Sequence, residues 1–240
     1  MGNEDFKFEI CANGVESCIA AQQGGADRVE LCANISEGGT TPSYGEIKVA
    51  RQVLDATRLH VIIRPRGGNF VYSALEVERI LSDIAISHQL GVDGVVFGCL
   101  TAEGHVDKEV CQRLMEGAKG MSVTFHRAFD RLRDPRQGLE DIIQLGFDRI
   151  LTSGLQPTAE QGIPLLRELN QQAKGRIILL AGSGVNESNI QRIQHETGIH
   201  EFHFSAREAA GKDDPEFGRL MLTTKERVMR TIACLKTNNL

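Results

Sequence analysis

Short aliphatic segments alternate with longer amphipathic segments along most of the chain. The short segments are rich in β-branched and other apolar residues, which is typical of buried strands. Strands are predicted at residues 6–11, 28–32, 59–64, 94–98, 122–126, 148–152, 176–181 and 199–204. Helices are predicted between them, at 15–23, 74–90, 160–173 and 186–196. Ser73, Asp134, Thr158 and Asn186 are expected to cap helix starts.

The pattern gives eight strand–helix units spaced about 28 residues apart, and about 250 residues is typical of a (β/α)₈ barrel. A doubly wound open sheet is the alternative, because it also alternates strands and helices. No break in composition and no linker divides the chain. We therefore predict a single α/β TIM-barrel domain over 1–240, starting its first strand near residue 6. A polar loop is expected over 207–213 and the last helix over about 214–238.

Composition is that of an ordinary globular protein, with 41% hydrophobic and 25% charged residues. The net charge of -5 argues against general nucleic-acid binding, which needs a basic face. No apolar run is long enough to span a bilayer, and the polar start does not resemble a signal peptide. We expect a cytoplasmic protein, in which the six cysteines are thiols by default.

The active site of a TIM barrel lies at the carboxyl ends of its strands, and inward residues alternate along each strand. The first two strands end in similar sequences, Glu-Ile-Cys-Ala-Asn and Glu-Leu-Cys-Ala-Asn. Their aliphatic positions should face the helices. Glu9, Cys11, Glu30 and Cys32 should then point into the barrel mouth.

The other strands also end in polar or small residues. Strands three and five contribute basic residues, Arg64, Arg66, His126 and Arg127. Strands six to eight contribute Thr152, Ser153, Gly182, Ser183, Gly184, Ser205 and Ala206. Such a set indicates a pocket for a small anionic ligand.

Several of these segments together resemble the CutC family. The motifs are residues 30–34, 37–45, 64–73, 124–130, 151–154 and 180–186, and the resemblance runs from the first strand to the eighth. It implies a TIM barrel, a cytoplasmic protein and a homo-oligomer, with a dimer expected here. It also implies a role in copper homeostasis, with copper on two cysteines that correspond to Cys11 and Cys32.

The sequence alone leaves the role of the cysteine pair, Cys11 and Cys32, open. A free cysteine often serves only as a small apolar residue of the core. Two thiolates on adjacent strands, however, are suitable ligands for Cu(I). A disulfide on oxidation is a further alternative. The remaining cysteines are interpreted as structural.

The charged residues at the mouth favour a functional pocket over a purely structural ion network. Glu9, Glu30, Arg64 and His126 form a candidate acid/base set, and Glu9 is expected to pair with Arg64. Arg64 and His126 should point inward, while Arg66 and Arg127 reach over from loops.

Strands seven and eight supply a candidate anion site. Gly182 and Gly184 allow close approach to backbone amides, Ser183 adds a hydroxyl donor, and Asn186 is expected to cap the next helix. The alternative to copper handling is therefore an enzyme of the lyase or isomerase type, or a binding protein, for a small phosphorylated or carboxylated metabolite. No lysine stands at a strand end, which disfavours Schiff-base chemistry.

Overall fold

The computed structural model describes residues 6–214 and 218–236, and its core is a closed barrel of eight parallel strands in sequence order. The barrel strands are β1 (Lys7–Ala12), β2 (Arg28–Leu31), β3 (Arg58–Ile62), β4 (Gly94–Phe97), β5 (Ser122–Phe125), β6 (Arg149–Thr152), β7 (Ile178–Gly182) and β8 (Glu201–Phe204). Strand β8 pairs with β1, which closes the barrel. This pairing confirms the TIM barrel over the doubly wound sheet.

Helices surround the barrel and follow the strands in turn. They are α1 (Val15–Gln23), α2 (Tyr44–Val53), α3 (Ala74–Gln89), α4 (Lys108–Gly117), α5 (Pro135–Leu145), α6 (Ile163–Ala173), α7 (Ile190–Thr197) and α8 (Lys225–Lys236). The caps expected at Ser73 and Asp134 are confirmed, since both side chains accept from amides in the first turn. Among the described residues, no helix is long and apolar enough to cross a membrane.

Two expected caps are wrong. Helix α6 begins at Ile163, and the hydroxyl of Thr158 instead accepts from the Gln161 amide in a preceding turn. Helix α7 begins at Ile190, four residues beyond Asn186. The Asn186 side chain accepts from the Ser188 amide at 2.8 Å, so it stabilises the loop before the helix.

The end of the chain also differs from expectation. Residues 207–213, expected as a polar loop, lie in β9 (Arg207–Asp214), which pairs antiparallel with β10 (Gly218–Thr223). The last helix therefore starts at Lys225 rather than near 214. The hairpin is held against the α1 region because Asn13 donates to the Met221 carbonyl at 2.8 Å and the Thr223 amide donates to Ser17 Oγ at 3.2 Å.

The barrel wall follows the predicted alternation on its first two strands. Phe8, Ile10, Val29 and Leu31 are fully buried within the apolar layer between strands and helices. The intervening positions face the barrel interior, which is charged in its lower layer. There Arg28 contacts the carboxylates of Glu9 and Glu201. The strands therefore support an apolar outer layer and a polar interior that leads to the mouth.

Candidate functional site

A cavity of about 400 Å³ opens at the carboxyl ends of the strands. Its walls include Cys11, Glu30 and Cys32 from the first two strands, His126 from the segment after β5, and His203 from β8. A parallel barrel brings these strand ends to one rim although they are far apart in sequence. The cavity therefore collects chemically reactive side chains from the ends of four strands.

The two cysteines of the mouth face each other as predicted. Their sulfur atoms are 3.8 Å apart, and all six cysteines are free thiols. The distance is far longer than the roughly 2.05 Å of a disulfide bond. The hydrogen bond between the two sulfurs lowers the pKa of the Cys11 thiol; burial opposes this, and the nearby charge of His203 reinforces it. The same hydrogen bond and burial raise the pKa of Cys32, so Cys11 is the more acidic thiol of the pair.

A buried carboxylate–imidazole pair adjoins the cysteines. His203 Nε2 lies 2.8 Å from Glu30 Oε2 and 3.8 Å from Glu9 Oε1. Burial raises the pKa of Glu30. Burial alone would lower the pKa of His203, but its interactions with Cys11 and Glu30 raise it well above its usual value. The Glu30–His203 pair therefore favours a proton beside the Cys11 sulfur.

The expected Glu9–Arg64 ion pair is wrong. Glu9 lies one layer below the mouth, directly opposite Arg28 in the β1–β2 register, and the two side chains form an ion pair. Burial would raise the pKa of Glu9, but the Arg28 charge outweighs it and the pKa is about 2. Glu9 is fully buried and is not among the residues that line the cavity.

Arg64 forms hydrogen bonds with backbone carbonyl oxygens rather than an ion pair with Glu9. Its guanidinium donates to the carbonyls of Glu37, Gly39 and Gly68 at 2.8–2.9 Å. It also lies 4.8 Å from the centre of the Phe70 ring. Arg64 thus holds two mouth loops together because three backbone carbonyls converge on it.

Arg66 and Arg127 leave the strands through loops, as expected, but only Arg127 lines the cavity. Arg66 turns outward, pairs with Glu76 at 2.5 Å and lies over the Tyr72 ring. Arg127 pairs with Asp130 at 2.7 Å.

Thr152 and Ser153 hold Asp130 rather than line the cavity. Their hydroxyls donate to the Asp130 carboxylate at 2.5 and 3.0 Å, and the Ser153 hydroxyl also accepts from Arg127 at 2.9 Å. Asp130 was not singled out from the sequence. The sequence places Asp130 in the segment after β5. Its contacts with the end of β6, however, form only in the closed barrel.

The segments after β7 and β8 contribute part of the predicted anion site. Ser183, Gly184, Ser205 and Ala206 line the cavity. The Ser183 hydroxyl, however, donates to the Pro157 carbonyl at 2.8 Å. Gly184 has a positive φ of 71°, a conformation that favours glycine.

Gly182 serves the packing of the strands and is not a lining residue. A Cβ atom there would lie 2.5 Å from Leu151 Cδ1. Arg207 and Arg227, which sequence reasoning did not select, do line the cavity. They belong to the hairpin and to α8, the part of the chain whose elements were predicted wrongly.

Among the residues that the structure describes, two groups of three side chains have donor atoms close enough to share a metal ion. Cys11, Glu30 and Cys32 form one, and Glu9, Glu30 and His203 form the other; the atoms within each group lie within 4.8 Å of one another. His203 was not singled out from the sequence. The alternation of polar Glu201 and His203 with Phe202 and Phe204 on β8 was the signal for its inward orientation.

The comparisons with known proteins agree with this architecture. A sequence model of the CutC family matches residues 6–208. A CutC family protein of Bacteroides thetaiotaomicron is 61% identical over 247 residues, covering 97% of this chain and 99% of the relative. A human copper homeostasis protein cutC homolog is 50% identical over 202 residues, covering 84% of this chain and 74% of the relative.

A solved structure supports the same assignment. The crystal structure of a CutC protein from Streptococcus agalactiae superimposes with a TM-score of 0.80 at 37% identity, covering 83% of this chain and 98% of the other. Thiamine phosphate pyrophosphorylase of Pyrococcus furiosus, at 16% identity and a TM-score of 0.65, shares the barrel fold alone. From the family match, the relatives and the closed barrel together, the chain belongs to the CutC family of copper homeostasis proteins.

Proposed function

We propose that the protein binds Cu(I) through the sulfur atoms of Cys11 and Cys32. The observation that carries this proposal is the 3.8 Å separation of the two sulfurs at the wall of the mouth cavity. Metal–thiolate bonds of about 2.3 Å around a tetrahedral ion place two sulfurs at a similar separation. The thiols therefore need little movement to share one ion.

The chemistry of the donors favours a soft metal. Thiolates select Cu(I), zinc and iron–sulfur clusters over hard cations. The lowered pKa of Cys11 favours its thiolate form, and Glu30 can complete a third position since its carboxylate lies within 4.8 Å of both sulfurs. The names of the relatives favour copper within this group.

The test is an anaerobic titration with Cu(I), and in parallel with Zn²⁺, of the wild type, Cys11→Ser and Cys32→Ser. Cys234→Ser is the matched control, because it removes a thiol of α8 that does not line the cavity. We expect both mouth variants to lose the high-affinity Cu(I) site and the control to keep it. Equal Cu(I) affinity in all four proteins would contradict the proposal, and tighter Zn²⁺ than Cu(I) binding would reassign the metal.

A second function is favoured by the charge of the cavity wall. Arg127, Arg207 and Arg227 line it, and the raised pKa of His203 favours the charged form of that side chain. These cations outnumber the lining carboxylates Glu30 and Glu187. We propose that the cavity binds a small phosphorylated or carboxylated metabolite, as a binding protein or as an enzyme of the lyase or isomerase type.

The proposed setting of both functions is the cytoplasm, with the protein as a homo-oligomer. A reducing compartment suits a pair of free thiols that must bind metal. Fractionation of cells under non-oxidising conditions should place the protein with cytoplasmic markers. Its recovery with an oxidised Cys11–Cys32 pair in another compartment would contradict this setting.

A further inference from the structure

One wall of the mouth cavity contains a histidine that belongs neither to the proposed copper site nor to the arginines of the proposed anion site. His126 follows β5, which is four strands around the closed barrel from β1 and therefore across the mouth from Cys11. Its side chain lines the cavity although only 3% of the residue is exposed. Among the described residues, its Nε2 atom has no hydrogen-bond partner.

The imidazole is held in one orientation by its neighbours. Its Nδ1 accepts from the Ala128 amide at 3.3 Å. Gly98 leaves the space for the ring, because a Cβ there would lie 2.9 Å from Nδ1. The Phe70 ring packs against it edge-on, with centroids 4.8 Å apart. The ring is fixed in place before any ligand is present.

These contacts define which nitrogen carries the proton. Nδ1 is an acceptor and so carries no hydrogen, which leaves the hydrogen of a neutral imidazole on Nε2. Burial and the nearby Arg64 charge lower the pKa of His126 to about 3, so the ring is neutral at physiological pH. His126 therefore presents a buried, uncharged N–H donor, and leaving such a donor unpaired costs stability.

We propose that the mouth cavity binds a small organic anion whose carbonyl or carboxylate oxygen accepts a hydrogen bond from His126 Nε2. The inference rests on the second proposed function and adds to it the group that His126 recognises. The arginines of the wall favour a negatively charged ligand, and the unpaired His126 donor favours an oxygen acceptor. Ile62, Phe70 and Val185 also line the cavity, and these apolar side chains suit a carbon skeleton rather than an inorganic ion.

The ligand thus spans the mouth. Its acceptor oxygen lies at the β5 side, and its charge lies toward Arg207 and Arg227. This assignment replaces the acid/base role expected for His126, because a nitrogen that is already occupied as an acceptor and a pKa far below neutrality do not suit proton transfer.

Two substitutions separate the donor from the structural role of the ring. In His126→Asn the side-chain oxygen can still accept from the Ala128 amide, but the donor at the Nε2 position is lost. In His126→Gln the longer amide can return an N–H group to that position. His88→Asn is the matched control, because His88 is exposed on α3.

The probes are pyruvate, phosphoglycolate, inorganic phosphate and, as an uncharged control, glycerol, measured by calorimetry and by ligand-observed NMR. We expect pyruvate or phosphoglycolate to bind the wild type more tightly than phosphate does, and glycerol not to bind. His126→Asn should weaken the organic anion by about tenfold or more, as expected for loss of a hydrogen bond to a charged group. His126→Gln should recover part of the loss, and His88→Asn should match the wild type.

Three results would overturn the inference. They are equal affinity in the wild type and His126→Asn, failure of both organic anions to bind, and a ¹⁵N spectrum of labelled histidine showing the His126 proton on Nδ1. A Cu(I) titration of Cys11→Ser, run beside the anion measurements, tests the copper proposal separately from the His126 assignment. Loss of the Cu(I) site there, with no anion bound by the wild type, would refute the His126 assignment and leave the copper site supported.

Discussion

Arg28 neutralises the charge in the lower layer of the barrel interior. It contacts both Glu9 and Glu201, and its side chain is only 5% exposed. Removing one partner of a buried ion pair leaves the other charge uncompensated. Arg28 therefore contributes to the stability of the folded protein rather than to ligand binding.

We predict that Arg28→Met lowers the free energy of unfolding by about 3–5 kcal/mol, the range typical for breaking a buried pair. Arg58→Met is the control, because Arg58 starts the adjacent strand β3 but is exposed. Urea denaturation of both variants measures the difference. Equal stability of Arg28→Met and Arg58→Met would mean that Glu9 is solvated or protonated in the variant at little cost.

Two buried histidines make stability depend on pH. Burial lowers the pKa values of His60 and His126 to about 3, from 6.5 in the unfolded chain. Between these values the unfolded chain binds protons that the folded protein does not. The stabilisation is therefore present above pH 6.5 and is lost as the pH falls toward 3.

We predict that His126→Asn reduces the pH dependence of unfolding between pH 6 and 5 by about 1 kcal/mol per pH unit. The measurement is urea denaturation at a series of pH values, with the exposed His88→Asn as the control. A slope in His126→Asn that matches the control would show that the His126 ring becomes protonated in the folded state.

At the scale of single elements, local sequence accounts for α3 more fully than for the last helix. The Ser73 hydroxyl accepts from the Glu76 amide at 3.3 Å, and Glu76 Oε2 accepts from the Ser73 amide at 2.8 Å. This capping box lies within four residues, so the sequence alone identifies it. The β9–β10 hairpin depends on contacts with α1 and with the end of β8, which no local pattern contains.

We predict that Ser73→Ala destabilises the protein by about 1 kcal/mol, the usual cost of losing an N-cap. Ser82→Ala is the control, because Ser82 lies exposed within the same helix and its hydroxyl only donates to the Glu78 carbonyl. Thermal unfolding of both variants gives the comparison. A Ser73→Ala melting temperature equal to that of Ser82→Ala would show that Glu76 and Arg66 hold the helix start without the cap.

At the scale of the whole molecule, the barrel mouth carries the candidate functions. The resemblance to the CutC family leads us to expect a homodimer with accessible mouths. Light scattering at working concentration should give twice the chain mass of 26.4 kDa. A mass of one chain at every concentration tested would contradict this expectation.

The sequence by itself determined the fold class and part of the rim. Alternating aliphatic positions on the first two strands placed Cys11, Glu30 and Cys32 at the mouth, because the direction of a strand side chain follows from its parity. The same parity directed Glu9 inward, but its expected place at the mouth was wrong, because Glu9 lies one layer below and does not line the cavity. Parity did not identify the partner of Glu9, since a pair depends on the register between strands rather than on the order within one.

Only the tertiary structure decided the pairings and the boundary of the cavity. Closure of β8 onto β1 brought His203 into contact with Glu30. The β1–β2 register paired Glu9 with Arg28 instead of with Arg64. The hairpin and α8 added Arg207 and Arg227, where the sequence had suggested a loop and a longer helix. Side-chain parity and helix caps are set by residues a few positions apart, whereas these contacts join residues far apart in the chain and form only when the barrel closes.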